Sequence, residues 1–174
     1  MESSLRRDLG QLREALYLLH RVEEISIDLE DSESYLCSQI NRANIELVRE
    51  EPDAATTILE QILCTTDDPH AVLLIRHNLA WALAQAGQTR EAAKLLEESR
   101  DLYSRFSDPL ITSRRLWLEG LIAKGLGQGR RAETLLQVAR SALEEHGYAF
   151  DAALVRHDLG RIMAHLDGEP QLPR

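Results

Sequence analysis

Arg90-Glu91-Ala92-Ala93-Lys94-Leu95-Leu96 returns, forty residues further on, as Arg130-Arg131-Ala132-Glu133-Thr134-Leu135-Leu136. The same shift carries Asp68-Pro69 onto Asp108-Pro109, and Ala80 onto Gly120 and then Gly160. A period of roughly 34 to 47 residues that holds two helical patterns marks an α-solenoid, in which each unit buries its apolar side on its neighbours. Such a chain works by presenting a surface to a partner.

The residues around the repeat agree with it. Thr66-Asp67-Asp68-Pro69 is an acidic cap followed by proline at a first helical position. Leu73, Arg76, Leu79, Ala80 and Leu83 then lead to Gly87, a left-handed stop. Thr89 and Arg90 open one helix through Ala92, Leu95, Leu96, Leu102 and Phe106. Ser107-Asp108-Pro109 repeats the cap, Leu116, Gly120 and Ala123 lead to Gly127, and Ala132, Leu135, Leu136, Ala139 and Leu143 end near His146-Gly147. A last helix holds Ala153, Leu159, Gly160, Met163 and Leu166, before a short tail with Pro170 and Pro173.

Towards the front, Ser3 or Ser4 can cap a helix that runs to about Ile27. Leu5, Leu9, Leu12, Leu16 and Leu19 form its stripe. Asp31 or Ser32 caps the next, with Leu36, Ile40, Ala43 and Leu47 inward. Glu50-Glu51-Pro52-Asp53 breaks it, and Ala55, Ile58, Leu59, Ile62 and Leu63 follow. The expectation is all-α, about eight helices, with loops short enough to force antiparallel neighbours. Ala80, Gly120 and Gly160 are expected where paired helices come closest, because a large side chain there would push axes past the ~8–10 Å of packed helices.

Composition narrows the function. The 174 residues suffice for one domain, and aromatics make up only 5%. A formal net charge of −9 argues against non-specific nucleic-acid binding, which needs phosphates neutralised by Lys and Arg. It argues equally against an anionic membrane face. No apolar run approaches the ~18 residues of a membrane span. The charged, amphipathic start is no secretory signal, so a cytoplasmic location is expected. Cys37 and Cys64 lack metal or redox spacing and are expected as small buried hydrophobes; a disulfide between adjacent helices is the lesser alternative.

Leu79-Ala80, Gly87, Ala92, Leu96 and Ser99, and again Gly120, Gly127, Ala132, Leu136 and Ala139, resemble the tetratricopeptide repeat. Leu159-Gly160 opens a further copy, and Ala43, Ala54 or Ala55 and Leu59 make a looser one. The spacing is longer than in the usual family, Arg76 and Leu116 stand where an early aromatic is common, and the prolines are displaced. The resemblance implies a right-handed solenoid. It divides 1–168 into an N-terminal helix (1–30), repeats 31–67, 68–107 and 108–147, and a capping helix (148–168), with a tail at 169–174. The end helices can be read as caps of a small protein or as edges of a longer array. It also implies a protein or peptide partner, in a bacterial regulatory or scaffolding assembly.

In that family the first helix of each pair lines the concave surface. The implied groove therefore holds Ile40, Asn44, Leu74, His77, Trp81, Arg114, Trp117, Leu121, Lys124, His157 and Arg161. Trp81 and Trp117, the two tryptophans of the chain, read either as contact residues or as filler between neighbouring helices. Arg114, Lys124 and Arg161 make the groove mildly basic, which suits a peptide with apolar anchors and negative charge. A family subclass clamps a C-terminal carboxylate with Lys and Asn. Asn44 and Asn78 are present, but Ile40 and His77 replace the Lys, so that clamp is not expected. A peptide that closes the superhelix, or a homodimer built on the first helix or the ends, are the alternatives.

No phosphate-cradling glycine loop, GxSxG or HExxH occurs. His77 and His157 would lie two helix spacings of ~10 Å apart, too far to share a zinc ion that binds nitrogen at ~2 Å. Neither an enzyme nor a bound metal or cofactor is expected.

Overall fold

The computed structural model describes the backbone of residues 2–106 and 108–168, and the side chains of 11–106 and 108–164. The side chains of Ser3, Ser4, Leu5, Leu9 and Leu166, all of Ser107 and the tail 169–174 lie outside the described residues. Within them the chain is all-α. The helices are α1 (Glu2–Asp28), α2 (Ser32–Val48), α3 (Pro52–Leu63), α4 (Pro69–Gln85), α5 (Thr89–Glu98), α6 (Arg100–Arg105), α7 (Pro109–Gly125), α8 (Gly129–Glu145) and α9 (Ala149–Gly168).

One expected helix is two. The segment from Thr89 to Phe106 is interrupted at Ser99, so among the described residues nine helices stand where about eight were expected. Ser99 is buried, and its hydroxyl donates to the Leu95 carbonyl at 2.8 Å. Its N–H is shared between the carbonyls of Leu95 and Leu96. Such back-bonding serine bends helices.

The starts follow the sequence. Asp31 caps α2 by accepting from the N–H of Ser34 at 3.0 Å. Asp108 caps α7 by accepting from the N–H groups of Leu110 and Ile111. Asp68 accepts from the N–H of Ala71 at 2.7 Å ahead of α4. Each carboxylate satisfies a donor that the first turn leaves open and opposes the positive end of the helix dipole.

The stops after α1, α2, α7 and α8 share one construction. After α7, Gly127 donates to the Lys124 carbonyl and Gln128 to the Ala123 carbonyl, both at 2.9 Å. After α8, Gly147 and Tyr148 repeat the pattern onto Glu144 and Leu143. After α1, Glu30 and Asp31 do the same onto Ile27 and Ser26, and after α2, Glu50 and Glu51 onto Leu47 and Glu46. The residue at the corner needs positive φ, which Gly127 (73°) and Gly147 (81°) adopt freely. Glu30 (54°) and Glu50 (59°) adopt it against the preference of an L side chain.

The chain divides into two compact units, residues 1–85 and 86–174; as a sequence, 1–168 reads as one domain. In the first unit α1, α2, α3 and α4 pack in sequential pairs, and α2 also touches α4. Leu47, Leu59, Leu73 and Ile75 are fully buried. The Gln85 amide donates to the Leu47 carbonyl at 3.0 Å, satisfying a carbonyl at the end of α2. In the second unit α5 meets α6 and α7, α7 packs on α8, and α8 on α9. Leu118, Leu136, Leu143 and Val155 fill its core. A Cβ added to Gly120 would lie 2.9 Å from Leu136, so α7 and α8 approach as closely as expected there. Gly160 is different. A Cβ there would meet nothing within 4 Å, so this glycine marks no close approach among the described residues. The cysteines also depart from expectation: both are exposed and free. Cys37 lies in the largely exposed first turns of α2 before the buried run Ser38, Gln39 and Ile40, and Cys64 is the residue that ends α3.

Two substitutions should move stability in opposite directions. Glu30→Gly removes left-handed strain and should raise the unfolding free energy by about 0.5–1 kcal/mol. Gly127→Ala should lower it by about 1 kcal/mol, although a methyl there meets no neighbour. Urea denaturation followed by circular dichroism measures both.

Candidate functional site

Helices α7 and α9 carry the residues around which a site can be built. They are joined by two side-chain bridges. The Arg114 Nε donates to Asp151 Oδ1 at 2.6 Å, and the Trp117 Nε1 donates to Asp158 Oδ2 at 2.8 Å. Arg114 and Trp117 are three apart on α7; Asp151 and Asp158 are seven apart on α9. Both spacings keep side chains on one helical face, and the order of the partners shows that the helices run in the same direction.

Asp158 is the centre of this seam. Burial pushes its carboxyl above the usual range; the indole N–H and the charges of His157, Lys124 and Arg161 act against that. The positive groups are thus gathered around one largely desolvated acid. Lys124 lies one turn along α7 from Leu121 and two from Trp117, while His157 and Arg161 flank Asp158 on α9. His157 and Arg161 are exposed, and Leu121 and Lys124 are half-buried.

The structure therefore brings together Arg114, Trp117, Leu121, Lys124, His157 and Arg161. Of the two roles open to Trp117, space-filling fits its position, since only 3% of it is exposed. Arg114 is held by Asp151. In the first unit Ile40, His77 and Trp81 are buried, whereas Asn44 and Leu74 are half-buried; they lie on the neighbouring helices α2 and α4. Sequence reasoning missed Asp151 and Asp158. The available signal was their seven-residue spacing opposite Arg114 and Trp117.

A cleft of about 280 Å³ lies elsewhere in the second unit, lined by Leu96, Arg100, Arg115, Glu119, Ile122 and Arg131 among others. Its charges already have partners. Arg100 bonds Glu97, Arg115 pairs with Glu119 at 2.9 Å and lies 5.3 Å from the Tyr103 ring centroid, and Arg131 donates to Gln128. Among the described residues no group of three or more His, Cys, Asp or Glu is placed to hold a metal ion, and no helix is long and apolar enough to cross a membrane. His146 ends α8 with its Nδ1 2.8 Å from the Ala142 carbonyl, a terminus contact. No family model, curated protein or solved structure matches the chain.

The raised pKa of Asp158 has a sign. The folded state binds its proton more readily than the unfolded chain, so this group favours folding more as pH falls from neutral towards the ordinary carboxylate range. Asp158→Asn removes that linkage and keeps an oxygen for the indole. Its stability relative to wild type should be higher at pH 7 than at pH 4, measured by urea denaturation at both; an equal difference would place the ionised acid in water. Trp117→Ala should cost about 3–5 kcal/mol, the usual range for a buried large aromatic, so thermal melting of this variant separates a packing role from a contact role.

Proposed function

We propose that the chain is a tetratricopeptide-like right-handed α-solenoid of the lengthened type, acting as a protein–protein interaction module rather than an enzyme. Its contact surface is the seam of α7 and α9, and its partner is a protein segment with apolar anchors and acidic side chains. A cytoplasmic regulatory or scaffolding assembly suits such a module.

The observation that carries this reading is the cluster of Lys124, His157 and Arg161 around Asp158, with the half-buried Leu121 one turn before Lys124 on α7. It is a cationic, partly apolar patch on a chain whose net charge is −9. Opposite charge steers a partner towards such a patch and fixes its register. An apolar residue beside it supplies the area that surface charge alone does not, because exposed ion pairs contribute only ~0.2–1 kcal/mol each. The repeat reading draws support from the alternate-helix relation found in both units, α2 beside α4 and α7 bridged to α9. It also draws on the close approach of Gly120 and Leu136, which are family positions in the resemblance.

The test is affinity capture followed by titration of the captured partner in purified form. Lys124→Glu with Arg161→Glu should keep the helical circular dichroism and weaken binding by at least about tenfold, equivalent to ~1.4 kcal/mol. Added salt should weaken wild-type binding and leave the variant little changed. A variant that binds the same partner with wild-type affinity overturns the assignment of the seam.

A further inference from the structure

Helix α9 exposes a face that its counterpart α7 buries. The forty-residue shift carries Ser113, Trp117 and Gly120 of α7 onto Ala153, His157 and Gly160 of α9. The first three are buried and the second three are exposed. On α7 the occupant near Gly120 is known: Leu136 of α8 sits 2.9 Å from where a Cβ would be, with the Ala132 carbonyl beside it. On α9 the equivalent glycine faces open space among the described residues, with Phe150 and Met163 exposed at its edges.

What fits such a face can be read from α8. Its stripe is Ala132, Leu136, Ala139 and Leu143, all fully buried. The alanine and leucine, with an aliphatic residue just before the leucine, recur as Ala55, Ile58 and Leu59 in α3, and as Ala92, Leu95 and Leu96 in α5. They occur once more, as Ala15, Leu18 and Leu19 in α1. Helix α1 is thus a second-type helix by its own sequence, and it packs on α2. The consequence is visible in its exposure. Ala15 and Leu19 are half-buried where their α8 equivalents are sealed, and Leu18 and Val22 remain 56% and 41% exposed. Ile25 and Leu29 extend the open stripe at alternating spacings of three and four. A contiguous apolar stripe of this kind is uncommon on a surface that faces water alone.

We infer that the chain self-associates head to tail, with α1 of one copy seated on the open face of α9 of another as α8 is seated on α7. Leu19 takes the place over Gly160 that Leu136 takes over Gly120. This rests on the repeat equivalence proposed above, but on surfaces other than Lys124 and Arg161. The contact is heterologous: one surface meets a different surface, so each copy keeps one free α1 and one free α9 until a ring closes or a filament grows.

Sedimentation velocity of the full chain across micromolar to sub-millimolar concentrations tests it with two blocked variants. Gly160→Glu places a charge on α9 at an exposed position with room for it, and Leu18→Glu with Val22→Glu does so on α1; circular dichroism checks that each stays helical, and Leu18→Glu alone replaces the double variant if that one unfolds. Wild type should form dimers and larger species with rising concentration. Each blocked variant alone should remain monomeric. An equal mixture of the two should form dimers and nothing larger, because one intact α1 meets one intact α9. Monomeric wild type, undiminished association of Gly160→Glu, or a mixture that stays monomeric overturns the inference. The second of these would instead assign the stripe to pairing of α1 with α1. Loss of partner binding in the Lys124 and Arg161 variant with association intact would separate the two proposals.

Discussion

The second unit depends on the approach of α7 and α8 at Gly120. Leu136 lies where a side chain on residue 120 would begin. With hydrogen in that place, the leucine closes over the α7 backbone and is fully buried, which stabilises the fold by roughly 1.5–3 kcal/mol. The position of α8 then sets α9, because Ala152, Val155, Leu159 and Ile162 of α9 are all buried on the side away from its open face. Once α9 is set, Asp151 and Asp158 come within hydrogen-bonding distance of Arg114 and Trp117. The charged seam is thus a consequence of the apolar packing of α7 and α9 on α8.

The turns make this geometry reproducible. Each three-residue connection must reverse the chain while leaving few terminal carbonyls unmet. The pair of bonds closing α7 and α8 does this, and Gln128 and Tyr148, which donate the bond that reaches further back along the chain, lie immediately before the next helix. A longer loop would leave the helix pair free to slide. A slide of one residue would turn Leu136 away from Gly120 by about 100°.

Much of this was legible in the chain because it rests on residue types with narrow uses. Gly87, Gly127 and Gly147 are where positive φ is needed, and Asp31, Asp68 and Asp108 are where a helix start needs an acceptor. The stops at Glu30 and Glu50 were not legible as such, since nothing about glutamate marks positive φ; there the packing on either side overrides the local preference. The cysteines misled through their average burial, which says nothing about which way one helix position points. The candidate site was legible by face and not by centre. Lys124, His157 and Arg161 follow from counting along the repeat, but Asp158 gains its meaning only from the indole N–H of a helix forty residues away. Gly160 shows the limit of the repeat itself. The position recurs at residue 160, but among the described residues no side chain approaches it as Leu136 approaches Gly120.

Helix α9 carries three kinds of surface, and their angular separation decides what can happen on each. Ala152, Val155, Leu159 and Ile162 face the core, Asp151 and Asp158 face α7, and Ala153, Gly160 and Ala164 are open. At 100° per residue, Asp158 and Gly160 point about 160° apart, so a segment bound at the seam does not occlude a helix seated on the open face. His157 lies between them, exposed, with its ring 4.0 Å from Asp158. The core face of the helix, packed with Ala152, Val155, Leu159 and Ile162, holds both outer surfaces in fixed register.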